Sequence, residues 1–196
     1  MFDKHYQATL RMYSNENYSE ADFIDPNIKI AVFINAHRGY GHDVYEKLIN
    51  LYKMSSTDED RIRVQKALVH SPISEDRLNL LNMTLTDFFS DKQNQYINLA
   101  VMATTTPEAR KDLWAFLKER SFTIIENFQC SIYSHITNQL FPRVANKDLF
   151  SEIILFYYHN RFPTCQSEIQ QGMDYIPDNI AAVERDGDSL VKMKSL

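Results

Sequence analysis

The placement of proline limits what this chain can fold into more than any other feature. The six prolines are Pro26, Pro72, Pro107, Pro142, Pro163 and Pro177. The first five fall at or near breaks between segments whose apolar residues recur every three or four positions. Proline has no N–H and its ring clashes inside a helix, so it collects at helix starts and in loops. Only four glycines occur, and no stretch shows the period-two alternation of a half-buried strand. The pattern predicts an all-α chain of helical hairpins.

The segments can be placed in order. A first helix is expected over about Asp3 to Tyr13, followed by the polar stretch SNENYSEAD. Asp25-Pro26 suits an N-cap and first helical position, opening a helix to Ala36 with Ile30, Phe33 and Ile34 on one face. Arg38 to Gly41 reads as a turn, and the next helix carries Val44, Leu48 and Leu51. Thr57, with Asp60 three residues on, resembles a capping box. Ser71-Pro72 breaks the chain, and Ser74 is expected to cap a helix bearing Leu78, Leu81 and Leu85. A further helix covers about 93–102. Thr106-Pro107-Glu108 opens another, with Leu113, Trp114 and Leu117 inward, closed by Lys118 and Arg120. A separate long helix is expected from Phe122 to Leu140, where Phe122, Ile125, Phe128, Ile132 and Ile136 step by three and four. Asn146 suits an N-cap, and Pro177 predicts a kink or break in the last segment.

These helices pair as about 26–54, 57–89, 91–119 and 121–160, with a closing segment from 165. Pairs of that length lie in the range of helical solenoid repeats. The chain therefore reads as one helical-repeat domain over 1–196, with 1–25 the remnant of a preceding pair and 26–196 the stacked pairs. Trp114, Phe116 and Phe128 are its expected structural core.

A net charge of −5 argues against a general nucleic-acid binder, which needs a basic footprint. No apolar run is long enough to cross a bilayer, and the first ten residues have no signal-peptide core. Asn17-Tyr18-Ser19 and Asn82-Met83-Thr84 fit the glycosylation acceptor pattern, but the compartment stays open. Cys130 and Cys165 read as two partly buried thiols, with a disulfide open to them in an oxidising compartment.

No run of residues forms a catalytic or metal centre. The six histidines include no H-E-x-x-H, and neither G-x-S-x-G nor a phosphate-binding glycine loop occurs. His37 and His42 flank HRGYGH and are expected to be exposed turn histidines rather than ligands. The aromatic run FYYHNR is expected to pack against a neighbouring helix. Basic residues offer more. In a solenoid, one set of helices lines a concave face, where a guanidinium pairs well with a peptide carboxylate. Arg61, Arg63 and Arg110 are the candidate contacts.

An ordered series of motifs resembles the C-terminal helical domain of the zinc aminopeptidases related to aminopeptidase N, nearest the oxytocinase and endoplasmic-reticulum branch. Lys29-Ile30-Ala31-Val32-Phe33 resembles the family's helix before a glycine turn. Gly41, Tyr45 in place of the usual Trp, and Leu51-Tyr52 resemble its next helix. Asp58-Glu59-Asp60 and Ala67-Leu68 follow. The stretch from Thr106 to Glu119, TPEARKDLWAFLKE, is similar to the family's N-P-x-G-R-x-x-x-W-x-F-x-K, and Asn179-Ile180 to the N-I of its terminal helix. Ser121 and Ala182 depart from it, each standing where the family has Trp.

The resemblance implies a fold of irregular HEAT- or armadillo-like antiparallel helix pairs forming a curved bowl. It implies a non-catalytic cap that encloses the peptide cavity and contacts the distal end of peptide substrates. The partners implied are the peptide and the family's catalytic domain, which holds the zinc; its ligands, catalytic Glu and G-A-M-E-N motif are not in this sequence. No cofactor is expected in the chain itself. The alternative is a free-standing helical-repeat module that binds another protein.

Overall fold

A computed structural model describes residues 25–89 and 99–194, with side chains undescribed at 26, 27, 127–129 and 186–194. The expected helix over 3–13, the polar stretch after it, the first acceptor pattern and most of 93–102 lie outside these residues, as does the Phe128 side chain. Among the described residues every regular element is helical and no strand occurs. The helices are α1 (Pro26–Tyr40), α2 (His42–Met54), α3 (Asp58–Leu68), α4 (Ser74–Met83), α5 (Pro107–Leu140), α6 (Lys147–His159), α7 (Gln166–Asp174) and α8 (Ile176–Lys194), with a 3-10 turn at Phe141–Arg143. Residues 99–103 are also helical. The fold is all-α, as the periodicity requires. It divides into two compact units, Met1–Leu113 and Trp114–Leu196, the division falling within α5.

In the first unit, α1 packs on α2 and α3, and α2 packs on α3. Phe33, Leu48, Leu51, Leu68 and Leu80 are fully buried there. The helix opened by Pro26 does not end at Ala36 but runs to Tyr40, and the whole reversal into α2 is made by Gly41. Gly41 has φ +62°, a left-handed conformation that any side chain resists. A Cβ there would also meet Ile73 at 3.3 Å.

Three helix starts carry a side-chain cap. Thr57 Oγ1 accepts the Asp60 N–H (3.2 Å), and Asn146 Oδ1 accepts the Leu149 N–H (2.9 Å). Thr106 Oγ1 accepts the Ala109 N–H (3.2 Å) at the start of α5. At α4 the N-cap is Ile73 rather than the expected Ser74. Ser74 lies inside the helix and donates to Asp112 (2.9 Å), while Ser71 accepts the Ile73 N–H (3.1 Å). Thr84 of the second acceptor pattern is buried, and its hydroxyl donates to the Leu81 carbonyl.

Helix α5, which enters the second unit at Trp114, does not stop near Arg120. It continues unbroken for 34 residues, because the stretch around 119–122 contains neither glycine nor proline and Ser121 is buried instead of capping a new helix. Trp114 is 2 % exposed and meets Phe141, Phe156 and Tyr157 with ring centroids 5.4–6.2 Å apart. Phe116 is buried as well. The break expected at Pro177 occurs at Tyr175, and Pro177 falls in the first turn of α8, where its missing N–H costs nothing. Asn179 pins α8 by donating to the Pro142 carbonyl (2.7 Å).

The cysteines are not free thiols. Cys130 of α5 and Cys165, the N-cap of α7, form a disulfide with Cα atoms 5.4 Å apart. The helical hairpin brings them together, and neither residue's local sequence announces it.

Candidate functional site

The first unit concentrates its charge at helix starts. The first turn of α3 is Asp58-Glu59-Asp60, which favours the positive end of the helix dipole. Two candidate arginines fold back onto it. Arg61 donates to Asp58 (3.0 Å), and Arg63 bonds Glu59 and, at 3.1 Å, Asp60. Buried Asp60 also accepts from buried Lys29 of α1 (3.0 Å). Arg110 donates to the Thr105 carbonyl just before α5 (3.0 Å). Each candidate thus has a local partner. For Arg61, with Asp58 largely exposed, that partner is exchangeable, since solvated ion pairs are worth under about 1 kcal/mol.

A second polar cluster lies at the start of α4, and sequence reasoning passed over it. Buried Asp76 accepts from Ser71 Oγ (3.0 Å) and bonds His42 Nδ1 (2.6 Å). Buried Arg77 donates through Nε to Asp112 of α5 (2.7 Å) and to the Ser71 carbonyl (2.6 Å). The Asp76 bond holds the exposed His42 imidazole above its ordinary pKa, with Asp76's charge adding to the effect. His37 is the opposite case and corrects the expectation of an exposed turn. It is fully buried at the end of α1, with Nδ1 3.0 Å from the Ala67 carbonyl. Burial lowers its pKa. His70, beside Arg38 (3.1 Å), is pushed down to about 4 by burial and by the Arg38 charge. Only the short spacing between Ser71, Asp76 and Arg77 could have hinted at the Asp76 cluster; the reach from His42 and Asp112 is tertiary.

The second unit contains a cavity of about 610 Å³ between α6 and α7. Phe150, Ile154, Tyr157, Phe162, Ile169 and Met173 make it apolar, while Arg161 and Asp174 stand on it as charged groups. The FYYHNR run is therefore split. Tyr157 packs inward and shares a 2.7 Å bond between its hydroxyl and that of Tyr133, whereas Tyr158 is 75 % exposed. Burial raises the pKa of both Tyr133 and Tyr157, so neither phenol ionises near neutrality. Among the described residues no group of three or more His, Cys, Asp or Glu is arranged to hold a metal ion.

Residues 2–177 match the family described as the ERAP1-like C-terminal domain. The chain belongs to this family. It is 26% identical over 165 residues to probable aminopeptidase 2 of Sulfurisphaera tokodaii, covering 81% of this chain and 20% of that protein. It is 26% identical over 141 residues to aminopeptidase M1-C of Oryza sativa subsp. japonica, covering 71% of this chain and 16% of that protein. The chain thus corresponds to a fifth or less of the length of these relatives. Within the ERAP1-like domain, the family's motif residues have structural work. Thr106 caps α5, Trp114 and Phe116 are core, Asn179 fastens α8, and Ile180 is buried.

Proposed function

We propose that this chain is the non-catalytic C-terminal cap of a zinc aminopeptidase, enclosing the peptide cavity and contacting the distal part of the substrate. The observation that carries this reading is the family match over residues 2–177 of a chain whose described regular elements are helical. Helical repeats offer long surfaces suited to an extended ligand. Chemistry would come from the catalytic domain; the cap would supply walls and charge.

Arg61, Arg63 and Arg110 are the proposed carboxylate contacts. An incoming carboxylate would compete with Asp58 for Arg61, with Glu59 and Asp60 for Arg63, and with the Thr105 carbonyl for Arg110. Exchange of one ion pair for another yields little net energy, so binding by the chain alone should be weak and should weaken further as salt rises. Calorimetric titration with medium-length peptides tests this. Peptides with free C-termini should bind more tightly than their amidated forms, and replacing the three arginines with glutamine should erase the difference. Equal affinity for both forms would remove the carboxylate contact. A cap role would be refuted if joining the chain to the catalytic region of a relative left its peptide-length preference unchanged.

A further inference from the structure

We propose that the Cys130–Cys165 disulfide is a reducible latch: a small thiol that attacks Cys130 frees the start of α7, and with it one wall of the cavity beside α6. The two sulfurs differ in access. Cys165 is fully buried, whereas Cys130 is partly exposed on α5. In thiol–disulfide exchange the attacking thiolate must reach one sulfur while the other departs, so access selects the point of attack. Here that point is Cys130, and Cys165 is the sulfur that leaves.

The departing charge falls in a favourable place. Cys165 is the N-cap of α7, and its side chain makes no capping bond. The unpaired first N–H groups of the helix and the positive end of its dipole therefore favour negative charge on that sulfur. The Thr164 hydroxyl stands 3.7 Å from it. The exchange balances in two steps. A thiolate RS⁻ bonds to Cys130 Sγ, the protein S–S bond breaks, and its electron pair leaves on Cys165 Sγ, which takes a proton from solvent. A second RS⁻ attacks the RS sulfur of the mixed disulfide, forming RSSR and releasing Cys130 as a thiolate that is protonated in turn. Two thiols are oxidised and one protein disulfide is reduced.

Release is local because the two ends of α7 are held differently. Towards its end, Gly172 is buried where Asn138 and Phe141 approach it closely. Around its start, Phe162 and Cys165 are the only buried residues from 161 to 168. Cutting the disulfide leaves Phe162, packed on Tyr133, Phe156 and Tyr157, as the anchor there. A segment with so few buried side chains opens at lower cost than the whole fold. Gln166, Ile169, Gln170 and Met173 of this helix line the cavity, so the cavity keeps its shape only while the bond is intact.

The test places the native, oxidised full chain in reduced glutathione at several concentrations. After acid quenching, peptide mapping by mass spectrometry should find the mixed disulfide on Cys130. The rate of reduction should rise in proportion to thiol without denaturant. Amides of 162–170 should then exchange hydrogen about ten-fold or more faster in the reduced chain, with those of α6 little changed. Oxidised glutathione should restore slow exchange, and the Cys130→Ser, Cys165→Ser double variant should exchange like the reduced chain in either solution. A mixed disulfide mainly on Cys165 would overturn the proposal. So would a reduction rate that levels off at the rate of global unfolding, or exchange that is unchanged on reduction or quickened evenly through the second unit.

Discussion

Trp114 is the only tryptophan in the chain, and the aromatic core of the second unit closes around it. Phe141, Phe156 and Tyr157 meet its ring, and the Lys118 ammonium stands 5.9 Å from the ring centroid. Trp114→Ala should cost about 3–5 kcal/mol of stability, read from urea unfolding. Native fluorescence should be blue-shifted; an emission maximum like that of tryptophan in water would contradict the burial. The histidines set opposite pH dependences. His70 titrates at about 4 against an ordinary 6.5, and His37 is shifted the same way. The unfolded chain therefore binds these protons first as pH falls. Stability should decline between pH 6.5 and about 4, by at most about 1.4 kcal/mol per pH unit for one group. His42 is raised by Asp76, so its contribution is complete below pH 6.5 and lost as pH rises through its elevated pKa. In a pH series of urea midpoints, His70→Gln should flatten the acid limb and His42→Gln the loss that sets in as pH rises above 6.5. An acid limb unchanged in His70→Gln would show that His70 is not responsible.

Helix α7 approaches α5 closely. Gly172 lies buried on it, where a Cβ would come within 2.8 Å of Asn138 Oδ1 and 3.0 Å of a Phe141 ring carbon. Alanine normally improves a helix by up to about 1 kcal/mol over glycine. Here the close approach reverses the sign, and Gly172→Ala should destabilise by about 1–2 kcal/mol, overpacking outweighing propensity. A stabilised variant in thermal denaturation would show that Asn138 swings away freely. The Cys130–Cys165 bond ties the start of α7 to α5 and closes a loop of sequence separation 35. Loop-closure entropy assigns such a bond at most about 4 kcal/mol. The Cys130→Ser, Cys165→Ser double variant should lose roughly 2–4 kcal/mol while keeping its helical spectrum. If thiol titration of the denatured, unreduced protein counts two free groups, the bond does not form under those conditions.

Taken whole, the molecule is a member of the ERAP1-like C-terminal domain family, composed among its described residues entirely of helices. On the cap reading it should show no aminopeptidase activity by itself, because the zinc ligands that the resemblance assigns to a catalytic domain are not in this sequence. Purified chain should leave aminoacyl fluorogenic substrates uncut, with or without added zinc. Cleavage abolished by EDTA would refute this. Each of the two units has its own buried side chains, so the Trp114 and Gly172 variants report on the second unit, and the His42 and His70 variants on the first.

Helix content, most helix starts and the family were legible in the linear chain, because they depend on spacing and on residues within four positions of one another. Thr57, Asn146 and Thr106 cap through bonds to N–H groups three residues on, and a reader of the sequence can count that far. The continuity of α5 was not legible, because Ser121 can cap a helix or be buried within one, and only its surroundings choose. The same holds for His37, Arg77 and the cysteines, whose partners are 30 or more residues away. Candidate arginines could be named from their charge, and the acidic partners of Arg61 and Arg63 lie three and four residues back on the same helix, whereas the place of Arg161 on the cavity emerged only from the fold. Local periodicity decides which segments become helices. Which side chains meet is decided by how the helices pack, since burial and pairing depend on neighbours that lie far apart along the chain.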